Sequence, residues 1–231
     1  MQPEIMKTVS TTGFGSVSTN KVLRNTYMLL AISMIPTVFG AWLGMQINFS
    51  FFSGSPAIGF AAFLAIAFGF FWAIEKTKNS PLGVALLLAL TFFMGLMLSR
   101  MIGYTLGSFS NGGTLIMTAF GGTAAVFAAM ATLGSVIKKD LSGMGKFLFI
   151  GMILLLLAGF ANIWLKIPAL YIGFSLIAIG IFSAYMVYDV QRIVNGGETN
   201  YISATLAIYL DIYNVFTNLL SLLGIFGGNR N

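Results

Sequence analysis

Apolar runs, each close to the roughly 20 residues that a helix needs to cross a bilayer, alternate with short polar segments along the whole chain. Seven of them predict membrane-spanning helices, over residues 27–47, 57–74, 81–98, 114–137, 147–165, 169–194 and 201–226. Residues 1–24 are polar, with Ser, Thr and Gly throughout, and lack the apolar centre of a cleaved signal. They are expected to form a flexible cytoplasmic N-terminal tail, and residues 25–231 a single seven-helix membrane domain. The first span carries Pro36 and a Gly40, Gly44 pair at the spacing that permits close helix approach. A charged turn, Glu75, Lys76 and Lys78, follows the second. Arg100 and a Gly- and Ser-rich loop over 107–113 close the third. Only Lys166, Ile167 and Pro168 separate the fifth span from the sixth, so these two are antiparallel neighbours.

The last span is unusual because Asp211 lies near its middle. An ionised carboxylate at bilayer depth costs about 2.5 to 3.5 kcal/mol or more, so it is seldom kept without a partner or a task. At helical spacing Ala204, Ala207, Asp211, Asn214, Asn218 and Ser221 form one stripe, expected to face protein or water. Leu206, Leu210, Phe216, Leu220 and Leu223 fall elsewhere on the helix surface.

Of the six acidic residues, Glu4, Glu75, Asp140 and Glu198 lie in tails or loops, which leaves Asp189 and Asp211 within apolar sequence. The polar turn between their helices spans 195–203, and the midpoint of positions 189 and 211 is residue 200. In an antiparallel hairpin the two side chains therefore reach similar depth. Two carboxylates in a poorly solvated site disfavour double ionisation and tend to hold one proton between them. Protonation allows a carboxyl–carboxylate hydrogen bond, whereas deprotonation favours separation or a divalent cation between the groups. The alternative is structural: each aspartate bonds a neighbouring helix, with Arg192 supplying a near-surface ion pair to Asp189.

Composition narrows the chemistry. The chain is 58% hydrophobic and 8% charged, as expected of a multi-pass helical membrane protein, and it has neither Cys nor His. Disulfides, thiolate or His zinc sites and Ser-His-Asp catalysis are excluded, and any bound metal would need oxygen ligands. The net charge of +6 comes from basic residues placed singly or in pairs beside the spans, a membrane pattern and not a nucleic-acid one. With the N-terminus inside, the inner segments hold Lys7, Lys21, Arg24, Lys76, Lys78, Lys138, Lys139, Lys146 and Arg192. The outer ones hold only Arg100, Lys166 and Arg230, so the bias favours N-in and C-out. The 13 methionines read as packing, and Trp42, Trp72 and Trp164 as interfacial anchors. Gly112-Gly113 and Gly196-Gly197 lack the strand and lysine of a phosphate loop.

The run GGETNYISATLAIYLDIYNVFTNLLSLLGIF, with NKVLRNTY before the first span and the seven-span plan, resembles the Bax inhibitor-1 family, in particular its proteobacterial YccA branch. The resemblance implies an all-α integral membrane fold of six helices wrapped around a central C-terminal helix. It also implies a pH-sensitive calcium leak governed by two aspartates, matching Asp189 in YDVQ and Asp211 in YLDIYN. These are candidate transient calcium ligands and proton sensors, with Asn214, Asn218 and Ser221 continuing the ion pathway; no other cofactor is implied. The proteobacterial branch further implies an association with the membrane AAA protease FtsH, as modulator or substrate, through the N-terminal tail. One departure is plain: calcium-leak members carry an arginine in the second span, which here has no basic residue. Arg192 and Lys146 are the candidate counter-charges in its place. Neither YDVQ nor YLDIYN has the Gly-containing motif of intramembrane aspartyl proteases, so enzymatic activity is not expected. The resemblance places the chain in a bacterial inner membrane.

Overall fold

The computed structural model describes residues 12–51 and 55–229. Among them are seven helices long and apolar enough to cross a membrane: α1 (Thr12–Gln46), α2 (Pro56–Thr77), α3 (Pro81–Ser108), α4 (Gly112–Val136), α5 (Met144–Leu165), α6 (Pro168–Val194) and α7 (Tyr201–Gly227). Pro56, Pro81 and Pro168 open α2, α3 and α6, where a missing N–H costs nothing and the fixed φ suits the first turn. Asn200 opens α7, its side-chain oxygen accepting from the backbone N–H groups of Ile202 and Ser203 at 2.9 and 3.2 Å.

Two boundaries differ from expectation. Residues 12–24, expected in a flexible tail, belong to α1; residues 1–11 lie outside the described residues. Val22 and Leu23 pack on the same core as Leu29 and Leu30, and a helix already nucleated by its span extends at small cost. The third helix also runs through Arg100 to Ser108, shrinking the expected loop to 109–111. Arg100 is exposed on the helix surface while Leu98, Ser99 and Thr105 are buried on other faces, so one charge on the outside does not end the helix.

α1 and α3 meet most closely. A Cβ placed on Gly40 would strike the carbonyl of Phe92, and one on Gly95 the carbonyl of Thr37, so backbone lies directly against backbone. α7 packs against α1, α2, α3, α4 and α6, while α5 lies against α6 and α2. No residue of α7 from 201 to 224 is exposed. Its leucine side is therefore covered by protein as well as its polar stripe, with Leu220 fully buried.

Polar groups on a third face of α7 reach across to its neighbours. The Tyr209 hydroxyl bonds the Thr37 hydroxyl at 2.8 Å, and the Tyr213 hydroxyl donates to the Met94 carbonyl at 3.3 Å. The Thr205 hydroxyl reaches the Thr26 carbonyl at 3.3 Å. Within a membrane such bonds contribute about 0.6 kcal/mol each on average, but a polar group without one is costly.

The turns gather at two ends. At the first, the Asn200 side-chain amide donates to the Lys78 carbonyl at 3.0 Å and to Asn79 Oδ1 at 2.9 Å, tying the α6–α7 turn to the α2–α3 turn. The α4–α5 loop joins them through buried Gln191. Its amide donates to the Ile137 and Lys139 carbonyls at 3.2 and 2.6 Å, and its oxygen accepts from the Leu141 N–H at 2.9 Å. In that loop the backbone N–H and the hydroxyl of Ser142 hold the Asp140 carboxyl below the ordinary carboxylate range. At the opposite end Ser110 and Asn111, in the α3–α4 turn, bond the Asn229 and Gly227 carbonyls at 2.9 and 2.7 Å.

Gly40→Ala and Gly95→Ala are each expected to cost about 1 to 3 kcal/mol, the usual penalty of overpacking. Gly69→Ala, where an added methyl meets nothing within 4 Å, serves as the control, with unfolding in detergent as the measurement. Gln191→Leu leaves the Leu141 N–H and two carbonyls without their side-chain partner, at a cost of about 1 to 3 kcal/mol. Amide exchange at Leu141 should accelerate in that variant while exchange within the α1–α3 interface is unchanged.

Candidate functional site

α6 ends at Val194, and the chain turns back through Gly196, whose φ of +74° is open to glycine at little cost. The tight return makes α6 and α7 antiparallel neighbours, and the Asp189 and Asp211 side chains come within hydrogen-bonding reach of each other. The two residues are 9% and 4% exposed, so water does not surround the pair. Asp211 Oδ2 has no hydrogen-bond partner among the described residues. Two ionised carboxylates cannot hydrogen-bond, since neither has a donor; the contact needs a proton on one of them. Tyr185, one turn before Asp189, lies within electrostatic reach of both.

Asp189 also lines a cavity of about 380 Å³ between α2, α6 and α7, together with Phe71, Glu75, Lys78, Arg192, Glu198 and Ser203. Asp211 does not line it and sits behind Asp189. Around the cavity, Lys78 pairs with Glu75, and Arg192 Nη2 with Glu198 Oε2 at 3.4 Å. The Ser203 hydroxyl donates to Glu75 Oε2 at 3.3 Å. The cavity thus joins the buried pair to a rim whose charges are already matched.

The other expected site residues occupy different positions. Arg192 makes its ion pair with Glu198 and acts on Asp189 only through its field. Lys146 is exposed at the start of α5, and among the described residues no ion pair joins it to either aspartate. Asn214 and Asn218 are half-buried and continue the Asp211 stripe, but their amide nitrogens donate back to the Leu210 and Asn214 carbonyls of the same helix, both at 2.8 Å. Ser221 bonds the Tyr171 hydroxyl on α6 at 2.6 Å. Glu75, Glu198 and Ser203 around the cavity did not stand out in the sequence, because each follows or flanks a turn where polar residues are ordinary. Gln191 stood beside Asp189 in YDVQ, and only its three loop contacts reveal its role.

Among the described residues no three or more of His, Cys, Asp and Glu converge as a metal centre. Calcium takes six to eight oxygens, so the two carboxylates alone do not complete its coordination.

The family model described as "Inhibitor of apoptosis-promoting Bax1" matches residues 19–228. A protein of Neisseria meningitidis serogroup A, of unassigned role, is 38% identical over 210 residues, covering 90% of this chain and 92% of its own. The Escherichia coli K12 protein named "Modulator of FtsH protease YccA" is 36% identical over 208 residues, 90% of this chain and 91% of its own. Its counterpart in E. coli strain O6:H1, with the same identity and coverage, is named "Inner membrane protein YccA". Seven spans and relatives of this kind identify a multi-pass inner-membrane protein, and with the family model matched over nearly its whole length, the chain belongs to the Bax inhibitor-1 family.

Proposed function

We propose that the protein is a slow, pH-responsive cation leak, with calcium as its cargo, in which Asp189 and Asp211 form the proton-sensing element. The observation that carries this reading is the direct approach of two buried carboxylates behind a polar cavity. With one proton between them the pair ties α6 to α7. Without it, two like charges in a poorly solvated site either separate or take up a cation. Glu75 and Glu198 lie on the way in, and the half-buried Asn214, Asn218 and Ser221 continue along the α7 stripe beyond.

In this reading α7 is the central helix around which the other six wrap, in keeping with its contacts to all of them except α5. The end bearing Lys76, Lys78, Lys138, Lys139, Lys146 and Arg192 faces the cytoplasm, so the chain runs N-in and C-out. Calcium flux into proteoliposomes should vary with pH between mildly acidic and mildly alkaline conditions in the wild type. It should become flat in Asp211→Asn and Asp189→Asn, which replace a titrating group by a neutral one of the same shape. A wild-type flux equal to that of empty liposomes at every pH, or an unaltered pH profile in both variants, counts against the leak.

A second reading rests on the E. coli relative, which is named as a modulator of FtsH protease. Under it this chain also engages a membrane protease of that kind, through the residues ahead of Lys21, either as modulator or as substrate. Deleting residues 2–20 should abolish co-purification with the protease and slow turnover of the chain, while Asp211→Asn leaves both unchanged. Retained association in the truncated chain removes the N-terminal segment from that role.

A further inference from the structure

Among the described residues Arg100 has no carboxylate near it. The acidic side chains of the described residues are Glu75, Asp140, Asp189, Glu198 and Asp211, which lie in the α6–α7 pair or toward the opposite end of the molecule. Among those residues the only ion pairs are Glu75–Lys78 and Arg192–Glu198. The hydrogen bond that the Arg100 guanidinium makes is a long one, to Ser50 Oγ at 3.4 Å. The arginine is nevertheless inside a membrane helix. α3 is 28 residues long, about 42 Å, against a hydrocarbon core of about 30 Å. Arg100 lies about 12 Å before the helix end at Ser108; with α3 centred on the apolar layer its stem starts about 6 Å inside the edge of that layer and its head reaches the phosphate level.

The chain builds walls around it. Past Gln46, Asn48 turns into the left-handed region at φ +50°, and the Phe49 N–H bonds back to the Gly44 carbonyl at 2.8 Å. That reversal lays residues 49–51 beside α3, with Phe51 edge-on to Phe93 at a centroid distance of 6.0 Å. Two adjoining cavities of about 310 and 380 Å³ result, and both are lined by Phe49, Arg100 and Tyr104. One is otherwise apolar, with Leu96, Met97 and Met101; the other adds the polar side chains of Asn48, Ser50 and Ser99. A cationic head between an apolar and a polar compartment matches an amphiphile that carries a negative charge at its junction.

We propose that this groove binds an anionic phospholipid, with the Arg100 guanidinium on the phosphodiester, the headgroup in the Asn48 and Ser50 compartment, and an acyl chain along Leu96, Met97 and Met101. A planar guanidinium suits phosphate oxygens because it can offer two parallel N–H donors. A free phosphate would leave the apolar compartment unused, which is why the lipid is the occupant.

The test is native mass spectrometry of the full chain in detergent, titrated with phosphatidylglycerol, phosphatidylcholine or inorganic phosphate. Wild type should retain phosphatidylglycerol, and Arg100→Gln should bind it about tenfold or more weakly, the effect of losing a charge-assisted hydrogen-bonded contact. Arg100→Lys keeps the charge at the exposed position, and with it the fold, but loses the two-pronged geometry; its binding should fall between the two. Lys166→Gln, at the same end of the molecule, should behave as wild type. Unchanged phosphatidylglycerol binding in either Arg100 variant overturns the proposal, as does an equal loss in Lys166→Gln, which would mean diffuse charge attraction. Arg100-dependent retention of inorganic phosphate alone would make the site an anion site and overturn the lipid assignment.

Discussion

Inside a bilayer a polar group has no water to fall back on, and that constraint accounts for the arrangement around α7. The helix carries Thr205, Tyr209, Asp211, Tyr213, Asn214, Asn218 and Ser221, too many polar groups to face lipid. Each named contact disposes of one of them. Tyr209 and Tyr213 reach α1 and α3, Ser221 reaches α6, and the two asparagines donate to their own backbone. Asp211 is the exception, for it meets another carboxylate and, among the described residues, keeps one oxygen without a partner. The fold thus satisfies the other named side chains of α7 and leaves this one carboxyl group beside a second carboxyl group in a poorly solvated place.

The mechanical setting of that place is uneven. α1 and α3 are in backbone contact through Gly40 and Gly95, where a methyl group would already collide, so they cannot slide past each other without repacking. α6 and α7 are bound differently. Their turn is tied down by Asn200 to the α2–α3 turn, Gln191 fastens α6 to the α4–α5 loop, and deeper in the pair the two carboxyl groups come within hydrogen-bonding reach. A change of charge there acts between two helices that are held at the turn by Asn200 and Gln191 and toward the other end by the Tyr171–Ser221 hydrogen bond.

Much of this was legible in the residues, and the illegible part has a physical boundary. Hydropathy reports where a chain enters and leaves an apolar layer, and so the seven spans and the common depth of Asp189 and Asp211 could be read directly. It does not report where a helix ends beyond its apolar run, which is why α1 begins at Thr12 and α3 passes Arg100 to reach Ser108. Nor does it report rotation. That the two aspartates face each other, that Glu75 and Glu198 line the same cavity as Asp189, and that Gln191 holds a loop all depend on residues from different helices meeting. Arg192 shows the same boundary: its proximity to Asp189 along the helix suggested a pair, but Glu198 across the turn offers an ion-pair partner at 3.4 Å.

The distribution of acidic groups gives the molecule a direction. Among the described residues the carboxylates lie at the end bearing the α2–α3, α4–α5 and α6–α7 turns or in the buried pair just beyond it, and the opposite end carries Arg100 and Lys166 with no acid. A cation approaching from the acidic end finds Glu75 and Glu198 matched by Lys78 and Arg192, then Asp189, with Asp211 behind it. The field therefore deepens inward without a strongly negative mouth to trap the ion at the surface. From the other end the same ion meets positive charge before reaching the stripe of Asn214, Asn218 and Ser221. In the leak proposed above, the carboxylate sensor is reached from the acidic end, so the pH of that side is the one it answers to.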